Sequence, residues 1–191
     1  MTTDVPEAVK NLKLKWAFKN VAKPVEDCYT VINDKEFFIE DDESSKRTVV
    51  VRIPNEEKYC KVINSYGTEA VVLSIDNALI MHHPGGIADG AVFNMENFFF
   101  VEFKTNAQGN SDMAVNATYR KAMEQLKSTI GLFDTHLQNA KIEFTRTINV
   151  VCNIVISSTF PKNMAAEMTY ALEFAHETNG IPLTFENIIE L

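Results

Sequence analysis

Residues 88–104 read ADGAVFNMENFFFVEFK, and the pattern of this stretch decides the fold. Ala88 to Phe93 alternates around apolar Ala91 and Phe93, the period of a short strand. Asn94-Met95-Glu96-Asn97 is polar enough for a hairpin turn. Phe98-Phe99-Phe100-Val101 is continuously apolar and β-prone, as expected of a strand buried on both faces. Glu102 and Lys104 follow at a spacing of two, so they share one face of that strand while Phe103 takes the other. An antiparallel hairpin returns the end of the second strand to the start of the first. Asp89 then arrives beside Glu102 and Lys104, which lie 13 and 15 positions later in the chain.

Two carboxylates and one ammonium at the ends of two paired strands suit a specific chemistry. Mg²⁺ is a hard cation that takes carboxylate and carbonyl oxygens and keeps several waters. Asp89, Glu102 and the backbone carbonyl of Phe103 supply an open half-shell for such an ion. A metal held there lowers the pKa of a bound water and neutralises charge building on a phosphate. Lys104 orients that water or stabilises the pentavalent phosphate electrostatically. The plain alternative is a strand-end ion pair between Glu102 and Lys104, with Asp89-Gly90 as ordinary turn chemistry.

At these residues the chain resembles the PD-(D/E)XK nuclease superfamily, also called restriction-endonuclease-like. The resemblance covers roughly residues 56–157 and rests on Asp89 at the start of one strand, with Glu102-Phe103-Lys104 at the end of the next. The proline that usually precedes the Asp is absent; the nearest is Pro84, five residues upstream. The resemblance implies a mixed α/β (α+β) fold whose central sheet is flanked by helices. It implies a divalent-metal-dependent nuclease hydrolysing DNA phosphodiester bonds, with Mg²⁺ or Mn²⁺ as cofactor, in restriction, repair or defence. It also implies a catalytic glutamine on the helix after the lysine strand, here Gln125, and a third carboxylate from Glu56, Glu57 or Glu69. A non-catalytic protein of the same fold, acting in binding or assembly, is the second reading.

Working outward, Pro6 to Phe18 reads as a helix capped by Asp4 or Thr3, and Thr30 to Ile39 as a strand. Asp41 to Ser45 reads as a charged loop, and Arg47 to Ile53 as a strand ended by Pro54-Asn55. Glu56 to Tyr66 shows Tyr59, Val62, Ile63 and Tyr66 on one side of a helix, closed by Gly67. Glu69 to Met81 reads as a strand or bent pair, and 82–86 as a loop. Ser111 caps a long helix reaching Gln138, with a stripe through Val115, Tyr119, Ala122, Leu126, Thr129, Ile130 and Phe133. Thr147 to Ser157 is a buried strand, and Lys162 to Thr178 a helix stopped by Asn179-Gly180. Leu183-Thr184-Phe185 is a short last strand. The order fits a mixed sheet with helices on both faces. Residues 1–50 form an N-terminal addition packed on a nuclease-like domain of residues 51–191, one compact unit in all.

Composition fits a compact globular chain of 191 residues, 46% hydrophobic and 23% charged. No apolar run approaches the roughly 20 residues needed to span a bilayer, and no secretory signal is visible, so the expectation is a cytoplasmic protein with no membrane partner. Cys28, Cys60 and Cys152 are too few and too scattered for a disulfide frame or a zinc site and read as reduced, buried thiols. The net charge of −8 argues against a simple DNA-binding enzyme. The charge is uneven, however: Lys10, Lys13, Lys15, Lys19 and Lys23 fall in a stretch with no acid, and DNA is expected to meet them together with the motif face. A solvated helix face is the plain reading of the same lysines. His83, beside His82 in the loop before Asp89, is a further phosphate contact on this view. The N-terminal addition leaves room for a homodimer or a larger complex.

Overall fold

The computed structural model describes residues 4–21, 23–54, 57–107 and 111–191. The fold is mixed α/β, built on two mixed sheets. The larger has six strands: β1 (Tyr29–Ile32), β5 (Ala70–Ser74), β6 (Gly90–Phe93), β7 (Asn97–Lys104), β8 (Asn149–Ile156) and β9 (Leu183–Thr184), in the order β1-β5-β6-β7-β8-β9. The smaller has four: β2 (Glu36–Asp42), β3 (Arg47–Val51), β4 (Tyr59–Ile63) and β10 (Ile188–Glu190), in the order β10-β4-β2-β3. The helices are α1 (Glu7–Asn11), α2 (Leu14–Ala17), α3 (Asp112–Asn139), α4 (Phe144–Thr147) and α5 (Met164–Glu177), with one 3₁₀ turn over Val25–Asp27.

The hairpin read from the sequence is the centre of the larger sheet. Strands β6 and β7 pair antiparallel from Gly90↔Val101 to Phe93↔Phe98. The Asn94 carboxamide holds the turn by accepting from the backbone N–H groups of Glu96 and Asn97, each at 2.8 Å. Beyond β7 the pairing becomes parallel, β7 with β8 and β8 with β9. Parallel neighbours need a crossover, and α3 and α5 supply the two. Ser111 caps α3 through its side chain, which accepts from the Ala114 N–H.

The larger sheet is covered differently on its two faces. On one, Ala91, Phe93, Phe98 and Phe100 pack against Tyr119, Leu126, Phe133 and Leu137 of α3 and against α1, α2 and α5. The rings of Phe98, Phe100, Phe133 and Phe144 meet mostly edge to face, as in the Phe100–Phe133 pair with centroids 5.0 Å apart. On the other, Val92, Val101, Phe103 and Val155 pack against Phe37, Ile39, Cys60, Val62 and Ile189 of the smaller sheet. The expected helices on both faces are therefore helices on one face and a second sheet on the other. Each sheet needs only one covering layer per apolar face, and β2 and β4 present one by simple alternation.

Other expectations change with it. Pro6–Phe18 is two short helices, broken where Lys13 takes a left-handed φ of 49°. On a straight helix Leu12 and Leu14 would point about 200° apart; the break lets both be buried. Thr30–Ile39 divides into β1 and β2, which join different sheets. Strand β2 runs on through Asp42, so the charged loop starts later. The expected helix at Glu56–Tyr66 is strand β4, with Cys60 and Val62 buried and their neighbours half-buried. In Glu69–Met81 only β5 is strand; the rest is turns with one isolated bridge, Asp76 to Ile80. Strand β10 was not anticipated. Of the first 50 residues, α1 and α2 pack on the helical side, β1 edges the larger sheet, and β2 with β3 forms part of the smaller one.

Cys28, Cys60 and Cys152 are free and buried. Burial pushes all three thiols up, that of Cys60 to about 12. Among the described residues, no helix is long and apolar enough to cross a membrane.

Candidate active site

The β6–β7 register, continued one step past Gly90↔Val101, sets Asp89 level with Glu102 at the strand ends. Asp89 Oδ2 accepts the Phe103 N–H at 2.6 Å. A strand residue's N–H and C=O leave on the same side, so the Phe103 carbonyl also points toward Asp89. Glu102 and Lys104 share the helix-facing side of β7, because Phe98 and Phe100 lie there and the parity continues. Glu102 is 1% exposed. Its Oε1 accepts a short charge-assisted hydrogen bond from Lys104 Nζ. Its Oε2 is buried and makes no hydrogen bond of ordinary geometry among the described residues, although the Asp89 N–H helps to keep the carboxylate charged.

Helix α3 fixes the rest. Lys104 Nζ also donates to Gln125 Oε1 at 2.9 Å, and Gln125 Nε2 donates to the Ile87 carbonyl at 3.1 Å. One helix turn on, the Thr129 hydroxyl accepts the Ala88 N–H and donates to the Gln125 carbonyl, both at 2.8 Å. The segment entering Asp89 is thus laced to α3 on two turns. Gly86 lets it approach so closely: its φ is +80°, and a Cβ there would lie 2.8 Å from Gln125 Cγ. The Lys104 side chain is only 17% exposed, held between Glu102 and Gln125.

The electrostatics show a surplus of acid. Burial raises Asp89 well above the usual carboxylate range, and Glu102 and Asp41 raise it further. Burial pushes Glu102 up to about 7, against the pull of Lys104. Asp41 is also raised, by burial and then by Asp76. Sequence reasoning missed Asp41 and Asp76. Asp76 follows β5, and its backbone N–H reaches the Asp89 carbonyl at 3.3 Å. Asp41 comes from the smaller sheet and continues the inward parity of Phe37 and Ile39, which was the one signal available for it. Its strand partner Thr48 lies against Gly90, where a Cβ would sit 2.5 Å from Thr48 Oγ1 and 2.8 Å from the Leu73 carbonyl. Thr48 Oγ1 and Ser74 Oγ, opposite Gly90, are buried without a partner among the described residues. Asp89, Glu102 and Asp41 thus influence one another around the single ammonium of Lys104, a charge imbalance a bound cation would relieve, while the Asp76 carboxylate is held by the Asn77 N–H and Nδ2, each at 3.0 Å.

The remaining predicted residues scatter. Glu57 turns to Ser157, accepting from its hydroxyl at 3.1 Å, just past β8. Glu69 stands at the opposite end of β5 and accepts the Glu7 N–H at 2.7 Å, so it is not a third carboxylate of this site. Glu56 lies outside the described residues. The His83 ring is half-buried in the loop before the site and makes no hydrogen bond among the described residues. Lys10, Lys13, Lys15 and Lys19 ring a groove at the far end of the helical layer. There Lys13 Nζ reaches the Ala140 carbonyl, just past α3, while Lys23 lines an adjoining depression. Among the described residues no three His, Cys, Asp or Glu side chains already converge as a metal-holding group. No family model, curated protein or solved structure matches the chain.

Proposed function

We propose that the protein is a divalent-metal-dependent nuclease that hydrolyses DNA phosphodiester bonds at the Asp89–Glu102–Lys104 end of the hairpin. The observation that carries the reading is the unpartnered, fully buried Glu102 Oε2 opposite Asp89, with the Phe103 carbonyl aimed to the same side. These oxygens fit Mg²⁺ or Mn²⁺, which are commonly held by one or two carboxylates plus substrate phosphate, without a full protein cage. Asp89, Glu102 and the Phe103 carbonyl would hold the ion, and Asp41 adds further negative charge that reaches both carboxylates. When bound, the cation supplies a water of lowered pKa and neutralises charge on the scissile phosphate. Lys104, steered by Gln125, presents its ammonium to that phosphate. The sheet order, four antiparallel strands (β1, β5, β6, β7) followed by two parallel ones with a helical crossover after the lysine strand, supports the same reading.

A non-catalytic role in binding or assembly is the second reading. The observation that favours it is the closure of Lys104 onto Glu102 and Gln125 in a mostly buried pair, on a chain of net charge −8. One experiment separates the two. Single-stranded, duplex and branched DNA are incubated with protein and Mg²⁺ or Mn²⁺, with Asp89→Ala as control. Cleavage by wild type alone supports the nuclease. No cleavage of any substrate, or equal cleavage by Asp89→Ala, overturns it.

A further inference from the structure

Lys10, Lys13, Lys15 and Lys19 border a groove of about 500 Å³ whose floor is formed by Val5, Val9 and Trp16. Trp16 is 49% exposed, and Lys19 Nζ lies over its ring, 4.6 Å from the centroid. This is an unusual place for an indole on an acidic chain, because the run from Lys10 to Lys23 holds five lysines and no acid. The break at Lys13 creates it: Leu12 and Leu14 both turn into the core, and the residues between and beyond them are pushed outward. Lys10 and Lys15 are paired with Glu7 and Glu26, but these are exposed contacts that exchange at little cost.

We propose that this groove binds single-stranded nucleic acid, with a base stacked on Trp16 and the flanking phosphates met by the surrounding lysines. An apolar floor with a half-open aromatic ring takes a planar base of any identity, and ammonium groups along the rim follow a sugar–phosphate backbone. The face of Trp16 already attracts a cation; a base takes that place while Lys19 moves to the adjacent phosphate. The groove is separate from the candidate active site. Lys13 reaches Ala140, and Gln125 lies 15 residues earlier, about 22 Å along α3 at 1.5 Å per residue. A strand held here is anchored at the end of the molecule away from Asp89. The choice of nucleic acid over an acidic peptide rests on the nuclease reading; the groove itself does not.

Trp16 is the only tryptophan, so its fluorescence reports the groove directly. The protein is titrated with a twelve-nucleotide oligothymidylate in EDTA at about 50 mM salt, where no metal chemistry occurs. Expected are saturable quenching of Trp16 and a matching rise in the anisotropy of labelled oligonucleotide. Trp16→Ala should weaken binding about tenfold, and Trp16→Phe should restore most of it. Changing Lys13 and Lys19 to Gln together should flatten the slope of log K against log salt by about 1.4, at roughly 0.7 per single-strand phosphate contact. Circular dichroism of the variants checks that the fold is kept. The proposal is overturned by absent binding, by unchanged affinity in Trp16→Ala, or by polyglutamate quenching Trp16 as strongly at equal charge, which would assign the groove to an acidic peptide. A protein that binds oligothymidylate but cleaves nothing with metal loses the nuclease reading and keeps this one. A protein that cleaves but leaves Trp16 unquenched does the reverse.

Discussion

One oxygen of Asp89 is committed to the Phe103 amide, so this side chain is aimed before any ligand arrives. Glu102 is the costlier residue, because it is buried with half of its carboxylate unpaired. Burial pushes its pKa from the ordinary 4.5 to about 7, so the native state holds this proton more tightly than the unfolded chain. The stability this contributes is complete below about pH 4.5 and is lost as pH rises through 7. At about 1.4 kcal/mol per pH unit the loss is at most ~3.5 kcal/mol. In urea melts with EDTA, wild type should lose stability relative to Glu102→Gln between pH 5 and 8, and Mg²⁺ at pH 8 should restore wild type only. Parallel pH curves would remove Glu102 as the titrating group. Gly86 gives a second test. Gly86→Ala meets both a φ of +80° and the Gln125 side chain, whereas Gly180→Ala meets a φ of +97° and open space. Both should lose about 1 kcal/mol to backbone strain. Gly86→Ala should lose a further ~1 kcal/mol, and any cleavage rate with it, because Gln125 is displaced from Lys104. Equal losses would mean that the Gln125 contact yields freely. The juxtaposition of Asp89 with Glu102 and Lys104 was legible in the sequence because the hairpin between them has a clear local pattern, whereas Gln125 was named only through the family resemblance. Asp41 was not legible, because a residue from a separate sheet reaches the site only through tertiary packing.

At the level of elements, the hairpin, α3, β8 and α5 follow their sequence patterns because each is long or strongly apolar. Strand β4 misled because Tyr59, Val62, Ile63 and Tyr66 fall at helical spacing by coincidence, while Cys60 and Val62 carry the real period of two. Strand β10 has three residues, too few for a pattern, and two of them are exposed. It is placed instead by Asn153 on β8. The Asn153 carboxamide, fully buried, donates to the Glu186 carbonyl at 2.7 Å and accepts from the Glu186 N–H at 3.0 Å and the Thr184 hydroxyl at 2.7 Å. Asn187 adds a bond to the Ile156 carbonyl at 2.9 Å. These bonds carry the chain from β9 in one sheet to β10 in the other. Asn153→Ala should therefore cost about 2–4 kcal/mol, from three lost bonds and backbone groups left unpaired. Hydrogen exchange should quicken first in residues 183–191. A uniform change across the molecule would show that the tail is held by packing alone.

For the whole molecule, the two apolar layers on either face of the larger sheet are separate clusters, one with the helices and one with the smaller sheet. No local pattern marks this division, because a side chain facing a helix and one facing a second sheet are equally apolar, and so every covering element read as helix. The three buried thiols fall conveniently across it: Cys28 and Cys152 in the helical layer and Cys60 in the smaller sheet. They amount to three internal clocks. A thiol reagent should leave all three unmodified in the native protein, and the rate at which each is labelled then measures how often its own layer opens. If the smaller sheet lifts away by itself, Cys60 should react before Cys152 in mass-spectrometric time courses under mild denaturant. If the protein opens only as one body, Cys60 and Cys152 should react at the same opening-limited rate. The cysteines would then date the parting of the two layers without any engineered probe.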